Sequence, residues 1–384
     1  MTVSTAPRPL RSLQPPVRRA PRSSPAPARR SFWRRIVLAL SAKRGWWVRR
    51  IAAFPLHVFV FAIAAFFLVR LIPGDPVLAV TGGQSLSGEQ YAQIQESLGL
   101  AGALTQQFLS YLGSIARFDL GTSLQSGDPV ATLIAQRLPA TLQLSVIALV
   151  FTVALTIAIS LLVALFPSKV VSRILDGYSR TAGAIPDFVL GLACISVLYV
   201  LLKLIPAPLG TIDRDIQEPS TVTGFSLLDA LLEGNLTAFG SLVYHLVTPI
   251  LVLVLAYTPI MARVLIETLS HELQAPASLF RVSTGARRTR VVRSALRRAF
   301  PPVMPVVATI FGFMIGGALV VEQLFSMTGM GTLAVQAVKT TDITTLEGFL
   351  LVIGALSLFV YLAADLVTML LDSRRRPGLA GGER

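Results

Sequence analysis

Three histidines, one cysteine and a few carboxylates in apolar surroundings are the residues of this chain that could do chemistry. His57, His245 and His271 are far apart in sequence. No H-E-x-x-H pair, Ser-His-Asp set or paired-carboxylate arrangement assembles around them, so each reads as a structural histidine. A single cysteine, Cys194, excludes an internal disulfide framework and any multi-cysteine metal site. No G-x-x-x-x-G-K-[ST] run is present to cradle phosphate on backbone amides, so the chain does not itself hydrolyse ATP. Asp187 and Asp365 stand out because they fall within long apolar runs. There a carboxylate costs about 2.5–3.5 kcal/mol unless it meets water or a partner.

The elements that must position these groups are membrane spans. Of 384 residues, 53% are apolar and 14% charged, and mean hydropathy is +0.68, far from the roughly 25% charged of soluble domains. The formal charge of +14 is concentrated: the first 50 residues hold thirteen Lys or Arg and no acid, leaving +1 for the rest. That pattern suits anionic lipid headgroups and argues against nucleic acid as a partner. Residues 1–30, rich in Pro, Arg and Ser, are expected to be disordered, and residues 31–50 to form an interfacial amphipathic segment. No signal peptide pattern is seen.

Six apolar stretches approach the roughly 20 residues that a span needs: 51–71, 140–166, 182–205, 243–264, 303–321 and 348–371. They define a six-span body over 51–371, with a helical cap at 72–138, a second large loop at 206–242 and a tail at 372–384. Twenty-seven Lys and Arg fall on the side of both termini and five on the other, so the termini are expected to be cytoplasmic. Glu89 to Leu98 and Gln106 to Ile115 carry helical patterns within the cap. In segment 267–300, Val291, Val292, Ala295, Leu296 and Ala299 recur at helical spacing while Arg288, Arg293, Arg297 and Arg298 take other positions. Gly285 is expected at a turn and Pro301 and Pro302 at the helix's end. Such an interfacial hairpin is a natural docking knob for a soluble partner.

Residues 86–90 read LSGEQ, one letter from the signature of transport ATPases, but without a phosphate loop this is coincidence. Other motifs do carry a resemblance: RLIPGDP (70–76), DLGTSLQSGDPV (119–130), RLPATLQLSV (137–146), AIPDFVLGL (184–192), HLVTPILVL (245–253), ALVVEQLFSMTGMGTL (318–333) and LLDSRRR (370–376). In this order and spacing the chain resembles the first of the two paired permeases of bacterial dipeptide and oligopeptide ABC importers.

The resemblance implies an all-α integral membrane fold with six transmembrane helices of the type I importer kind, in the bacterial cytoplasmic membrane. It implies a homologous second permease, two ATPase subunits carrying ATP and Mg, and an extracytoplasmic substrate-binding protein as partners; the chain itself is expected to be no enzyme and to hold no cofactor or metal. Segment 267–300 corresponds to the family's coupling region, which assigns Ser283, Thr284, Gly285, Ala286, Arg287 and Arg288 to the ATPase contact. The sequence departs from the family around ASLFRVSTG (277–285), and at Asp187, where a small polar residue is usual.

Asp187, with Phe188, is assigned to the translocation path, facing a cationic substrate group. The competing reading places Asp187 at the cytoplasmic interface, beside water or Arg180. Glu322, Phe325, Gly329 and Gly331 resemble the family's outer gate, the glycines permitting a tight re-entrant turn. Asp365 is expected to make an inter-span polar contact, and Arg70 and Arg263 to snorkel to an interface. Peptides are the expected substrate; glutathione, a nickel chelate, or a secondary transporter or channel are the alternatives.

Overall fold

A computed structural model describes residues 44–371 except Ser85, Ser168, Lys169, Ala182 and Ala184. The proposed disordered tail, the interfacial segment up to residue 43 and the tail 372–384 lie outside the described residues. Those residues are almost entirely helical, with one isolated bridge, Thr122 to Pro129. In chain order the helices are α1 (Arg44–Val69), α2 (Pro76–Val80), α3 (Gly88–Ser97), α4 (Leu104–Ala116), α5 (Val130–Leu165), α6 (Val170–Thr181) and α7 (Asp187–Cys194), which continues as a π-helix over Ile195–Leu201. There follow α8 (Ser226–Glu233), α9 (Leu236–Gln274), α10 (Pro276–Ser283), α11 (Arg288–Leu324), α12 (Met330–Lys339) and α13 (Ile343–Leu371).

Local chemistry sets the short elements. Asp75 accepts hydrogen bonds from the amides of Val77 and Leu78, with Pro76 at the first helical position of α2. Ser87 and Gln90 form a reciprocal capping box that starts α3. LSGEQ is therefore a helix-start signal. The two helical patterns of the cap are present as α3 and α4.

Five helices are long and apolar enough to span: the Arg50–Val69 part of α1, α5, α9, α11 and α13 through Thr368. The third expected span is different. It is a broken crossing, made of α6, an interruption between Thr181 and Asp187, and the 15-residue run Asp187–Leu201. That it crosses follows from its neighbours. Ala164, at the end of α5, accepts hydrogen bonds from Arg288 at the start of α11, whereas the Gly210 amide bonds the Phe325 carbonyl just past the end of α11. Residues 164 and 210 thus stand at opposite ends of one 37-residue helix, and the chain between them must traverse the bundle. The two ends are called here the basic end, with Arg288, and the cap end, with Phe325.

The first and last helices give an independent check. Arg50 pairs with Asp365, a Cβ at Gly354 would overlap the Phe61 ring, and Arg70 pairs with Glu347. Contacts that climb α1 descend α13, so the two are antiparallel. An antiparallel first and last crossing requires an even number of crossings, and the broken one supplies the sixth.

Other expectations need correcting. α1 begins at Arg44, so residues 44–50 of the expected interfacial segment are helical and run on into the Arg50–Val69 span. The cap gives way to helix at Val130, and the second loop ends at Asn235, which caps α9 through the Ala238 amide. Pro301 and Pro302 do not end a helix: α11 runs through both, and through Pro305. Proline's fixed φ is helical and removes one amide bond, while buried Val303, Ala308 and Ile310 hold the helix against its neighbours. At Pro259 in α9 the freed i−4 carbonyl, Leu255, accepts instead from the Tyr178 hydroxyl of α6 (3.1 Å).

The core lies among α5, α9 and α11, with Leu144, Leu253, Met261, Leu265, Ile310 and Met314 fully buried. Along α5, Thr141, Ser145, Ala148, Thr152, Thr156 and Ser160 recur every three or four residues and are all buried. Small side chains at this spacing let spanning helices approach closely.

Candidate functional site

Three sites emerge, at mid-depth, at the cap end and at the basic end. At mid-depth, Ile185 and Pro186 hold the backbone extended before α7, and Asp187 becomes its first helical residue. The positive end of the helix favours a carboxylate there. Asp187 Oδ2 accepts from the Tyr257 hydroxyl of α9 at 2.7 Å, and the same hydroxyl lies 2.9 Å from the Phe313 carbonyl of α11. At about 1.5 Å per residue, Tyr257 stands about 22 Å from Glu272 and about 24 Å from Ser241 along α9. Glu272 meets Arg298 at the basic end and Ser241 meets Asp213 at the cap end. Asp187 is therefore inside the bundle. The interface reading fails on a second count, because Arg180 pairs with Asp176 (3.1 Å). A Cβ at Gly317 would overlap Asp187 and crowd Tyr257, so glycine is what lets the three helices converge. Phe188 is half exposed beside Asp187, as is Phe313.

At the cap end Glu322 is completely buried. It accepts from the Thr141 hydroxyl of α5 and from the Gly331 amide (2.7 Å), while the Met330 amide donates to Thr141 (2.9 Å). Arg137 reaches Thr332 (3.1 Å), whose hydroxyl donates to the Gly329 carbonyl (2.8 Å). Phe325 is buried alongside. The expected re-entrant turn is thus a locked knot between α5, α11 and α12, and its glycines serve another purpose. Gly329 has an extended φ of −139° and Gly331 is helical; the left-handed residue is Ser326 (φ 53°). What demands glycine is space, since a Cβ at Gly329 would overlap the Glu322 carboxylate and one at Gly331 the Leu319 backbone.

At the basic end, α10 is a short helix strung between two long ones. Arg298 fastens it: its Nε donates to Glu272 (2.6 Å) and its Nη2 to the Ser278 hydroxyl (2.6 Å), which itself donates to the Glu272 carbonyl (2.7 Å). Gly285 closes the turn with φ 77°, as its position suggested, and Val291, Val292, Ala295 and Ala299 are buried. Ser283, Thr284, Gly285 and Arg287 are exposed and Ala286 is half-buried. Arg288, also exposed, caps the carboxyl end of α5 through Ala164.

Sequence reasoning missed the most distinctive surface here, the bare apolar trio Leu279, Phe280 and Val282, with Phe280 69% exposed. It also missed Tyr257 and Thr141. Hydroxyls in spans at helical spacing are weak signals, but three large apolar residues together at an interfacial turn could have been noticed.

The remaining polar groups are structural. His57 and His245 bond carbonyls four residues back. Arg70 does not snorkel; it is tied to Glu347, Gln107 and the Phe66 carbonyl, whereas Arg263 is exposed. Asp365 makes the expected inter-span contact, with Arg50. Among the described residues no cluster of three His, Cys, Asp or Glu could hold a metal. A cavity of about 810 Å³ opens at the cap end, lined by Gln136, Gln143, Thr211, Glu218 and Asp229 among others.

Comparison with known proteins agrees with this architecture. Residues 156–377 match the binding-protein-dependent transport system inner membrane component family, and residues 45–145 its N-terminal region. The chain is 31% identical over 322 residues to the probable D,D-dipeptide transport system permease protein of Escherichia coli, covering 84% of this chain and 94% of that one. It is 29% identical to the dipeptide transport system permease protein of the same organism (82% and 93% covered). With the di/tripeptide transport system permease protein of Pseudomonas aeruginosa the identity is 31% (82% and 93% covered). The chain, a multi-pass helical membrane protein, belongs to the binding-protein-dependent transport system inner membrane component family.

Proposed function

We propose that this chain is one permease of an ATP-driven peptide importer, and that α10 is the element through which ATPase subunits act on it. The observation that carries this reading is the exposed trio Leu279, Phe280 and Val282, on a helix locked by Arg298 between the two longest helices of the bundle. An exposed apolar cluster of this kind marks a protein interface, and aromatic anchors dominate binding energy at such surfaces. Residues 283–288 form its rim. The excess of basic residues at this end supports a cytoplasmic location for it and for both termini.

A homologous second permease completes the path, an extracytoplasmic binding protein delivers substrate to the cap end, and ATP with Mg is bound by the ATPases. Peptides are the substrate class carried in the names of the relatives. Asp187, partly exposed beside Phe188, faces the cationic amino terminus of the peptide, and the Glu322 knot holds the outer end closed.

The test is Phe280→Ala in the co-expressed transporter. Loss of one interface aromatic costs about 2 kcal/mol or more, so ATPase subunits should fall away on purification while the permease pair remains folded. Unchanged ATPase recovery and unchanged peptide uptake would overturn the coupling role of α10.

A further inference from the structure

The run from Ser97 to Ala116 holds no charged residue. Most of it is α4, and it follows α3, which has no buried residue and carries Glu89 and Glu96. What α4 touches fixes its height in the bundle. Arg70, just past the end of α1, reaches Gln107 (3.4 Å). The Phe108 ring sits against Phe66 (centroids 5.1 Å apart) and Phe67 (5.7 Å), and the Tyr111 hydroxyl donates to the Ala62 carbonyl (3.3 Å). Ala62 is about 10 Å down the Arg50–Val69 span from its end, at about 1.5 Å per residue. Further along, Ser114 and Ile115 share a cavity of about 180 Å³ with Glu347, Gly348 and Leu351 of α13. α4 therefore lies across the cap ends of the first and last spans, level with the last two turns of α1.

At that level α4 turns apolar side chains outward. Leu109 is 67% exposed and Leu104 is exposed as well. Through the Phe108–Phe67 contact they join the bare face of α1 made by Phe67, Leu68 and Leu71. Gln106 and Ser110 fall on the opposite side of the helical wheel from Phe108 and Tyr111, with Leu109 on the flank between. A 20-residue span matches a hydrocarbon layer of about 30 Å, so the bare face of α1 meets acyl chains, and an apolar surface continuous with it has the same surroundings. An amphipathic helix at the end of a span is suited to lie in the membrane plane, its apolar side about 5–10 Å into the boundary of headgroups and acyl chains.

We infer that α4 is an interfacial helix, with its Leu109 flank in the acyl region of the leaflet at the cap end and its Gln106–Ser110 strip among the headgroups. The occupant of this surface is lipid hydrocarbon, whatever the headgroup. The cap is thereby divided, α3 standing in water and α4 on the membrane. The inference rests on the position of the spans and not on the transported substrate or the ATPase contact.

The experiment is fluorescence quenching by brominated lipid in the transporter, purified with its partner subunits and reconstituted into nanodiscs. Cys194→Ala removes the native thiol, and Leu109→Cys, Leu68→Cys on α1 and Gln93→Cys on α3 each carry one bimane label at an exposed position, where the fold tolerates it. With bromine near the glycerol end of the acyl chains, labels at the headgroup and acyl boundary, at positions 109 and 68, should lose about half of their emission. The label at position 93 should lose none. A charged methanethiosulfonate should modify unlabelled Gln93→Cys about tenfold faster than Leu109→Cys, because the reactive thiolate forms in water.

Emission at position 109 as resistant to brominated lipid as that at position 93, or equal modification rates, would overturn the inference. Blue-shifted emission at positions 109 and 68 without quenching would also overturn it, by giving the face to another protein chain. Peptide uptake is not the readout, so failure of the importer reading would leave this result standing, and the converse.

Discussion

The contact between Asp187 and Tyr257 can be tested by a double-mutant cycle whose magnitudes follow from its geometry. Tyr257 has one hydroxyl proton and two acceptors in reach, Asp187 Oδ2 at 2.7 Å and the Phe313 carbonyl at 2.9 Å. The Phe313 carbonyl, inside α11, already has a helical amide as partner, so the proton belongs to the carboxylate. Tyr257→Phe then leaves Asp187 with no hydrogen-bond partner among the described residues. Hydrogen bonds to charged groups contribute about 1.5–3 kcal/mol, and the dipole of α7 offsets about 0.5 kcal/mol of the loss. A destabilisation of about 2 kcal/mol is expected.

Asp187→Asn removes the charge but keeps an acceptor, and should be within about 1 kcal/mol of wild type. In the Asp187→Asn background, Tyr257→Phe should cost about 1 kcal/mol less than it does alone. Equilibrium unfolding in mixed micelles, followed by far-UV circular dichroism, reads all four corners. Strict additivity, or a Tyr257→Phe cost below about 0.5 kcal/mol, would refute the assignment of the proton to Asp187.

Two other perturbations probe the packing and the loop. Gly354→Leu should force Phe61 aside and destabilise by about 1–3 kcal/mol, with Phe61→Ala restoring most of the loss; micelle unfolding of single and double variants reads it, and no rescue would break the α1–α13 register. In the first turn of α8, burial pushes the Asp229 carboxyl up. Hydrogen bonds from the Thr223 hydroxyl and amide and from the Gly224 and Val222 amides outweigh this, holding it below its ordinary value. A depressed folded pKa contributes stability that is complete above the unfolded value of about 3.9 and is lost as pH falls through the folded one. Protection against hydrogen exchange at Thr223 and Gly224, taken relative to the intrinsic rate at each pH, should therefore fall only in acid, and Asp229→Asn should show the low protection at neutral pH.

Hydropathy and charge carried most of the architecture because both are sums over many residues. Five spans, the cap helices and the amphipathic start of α11 each rest on ten or more side chains of consistent pattern. What escaped depends on single atoms. The apolar run 182–205 has the composition of a continuous span, and nothing in its residue types announces that α7 begins beside Tyr257 in the middle of the bundle. Gly329 and Gly331 look like turn residues, yet their requirement comes from Glu322 and Leu319 packing against them. Pro301 and Pro302 looked like a stop because propensity was weighed without the buried contacts that carry α11 onward.

Those same prolines bear on how motion at the basic end would reach the rest of the bundle. Pro301, Pro302 and Pro305 leave the carbonyls of Arg297, Arg298 and Pro301 without their helical amides, and among the described residues no side-chain donor replaces them. In α9 the carbonyl freed by Pro259 is recovered by Tyr178. Of the two long helices joined to α10, α9 is thus braced at Pro259 and α11 is weakened between α10 and the core. Arg298 lies at the lower edge of that weak stretch and is tied to both Glu272 and Ser278, so displacement of α10 enters α11 where it bends most easily. Beyond the prolines the Tyr257 hydroxyl of α9, which donates to Asp187, lies 2.9 Å from the Phe313 carbonyl of α11. Tilting of α11 against α9 would therefore move the Phe313 carbonyl against the Tyr257–Asp187 hydrogen bond, beside the partly exposed mid-depth carboxylate.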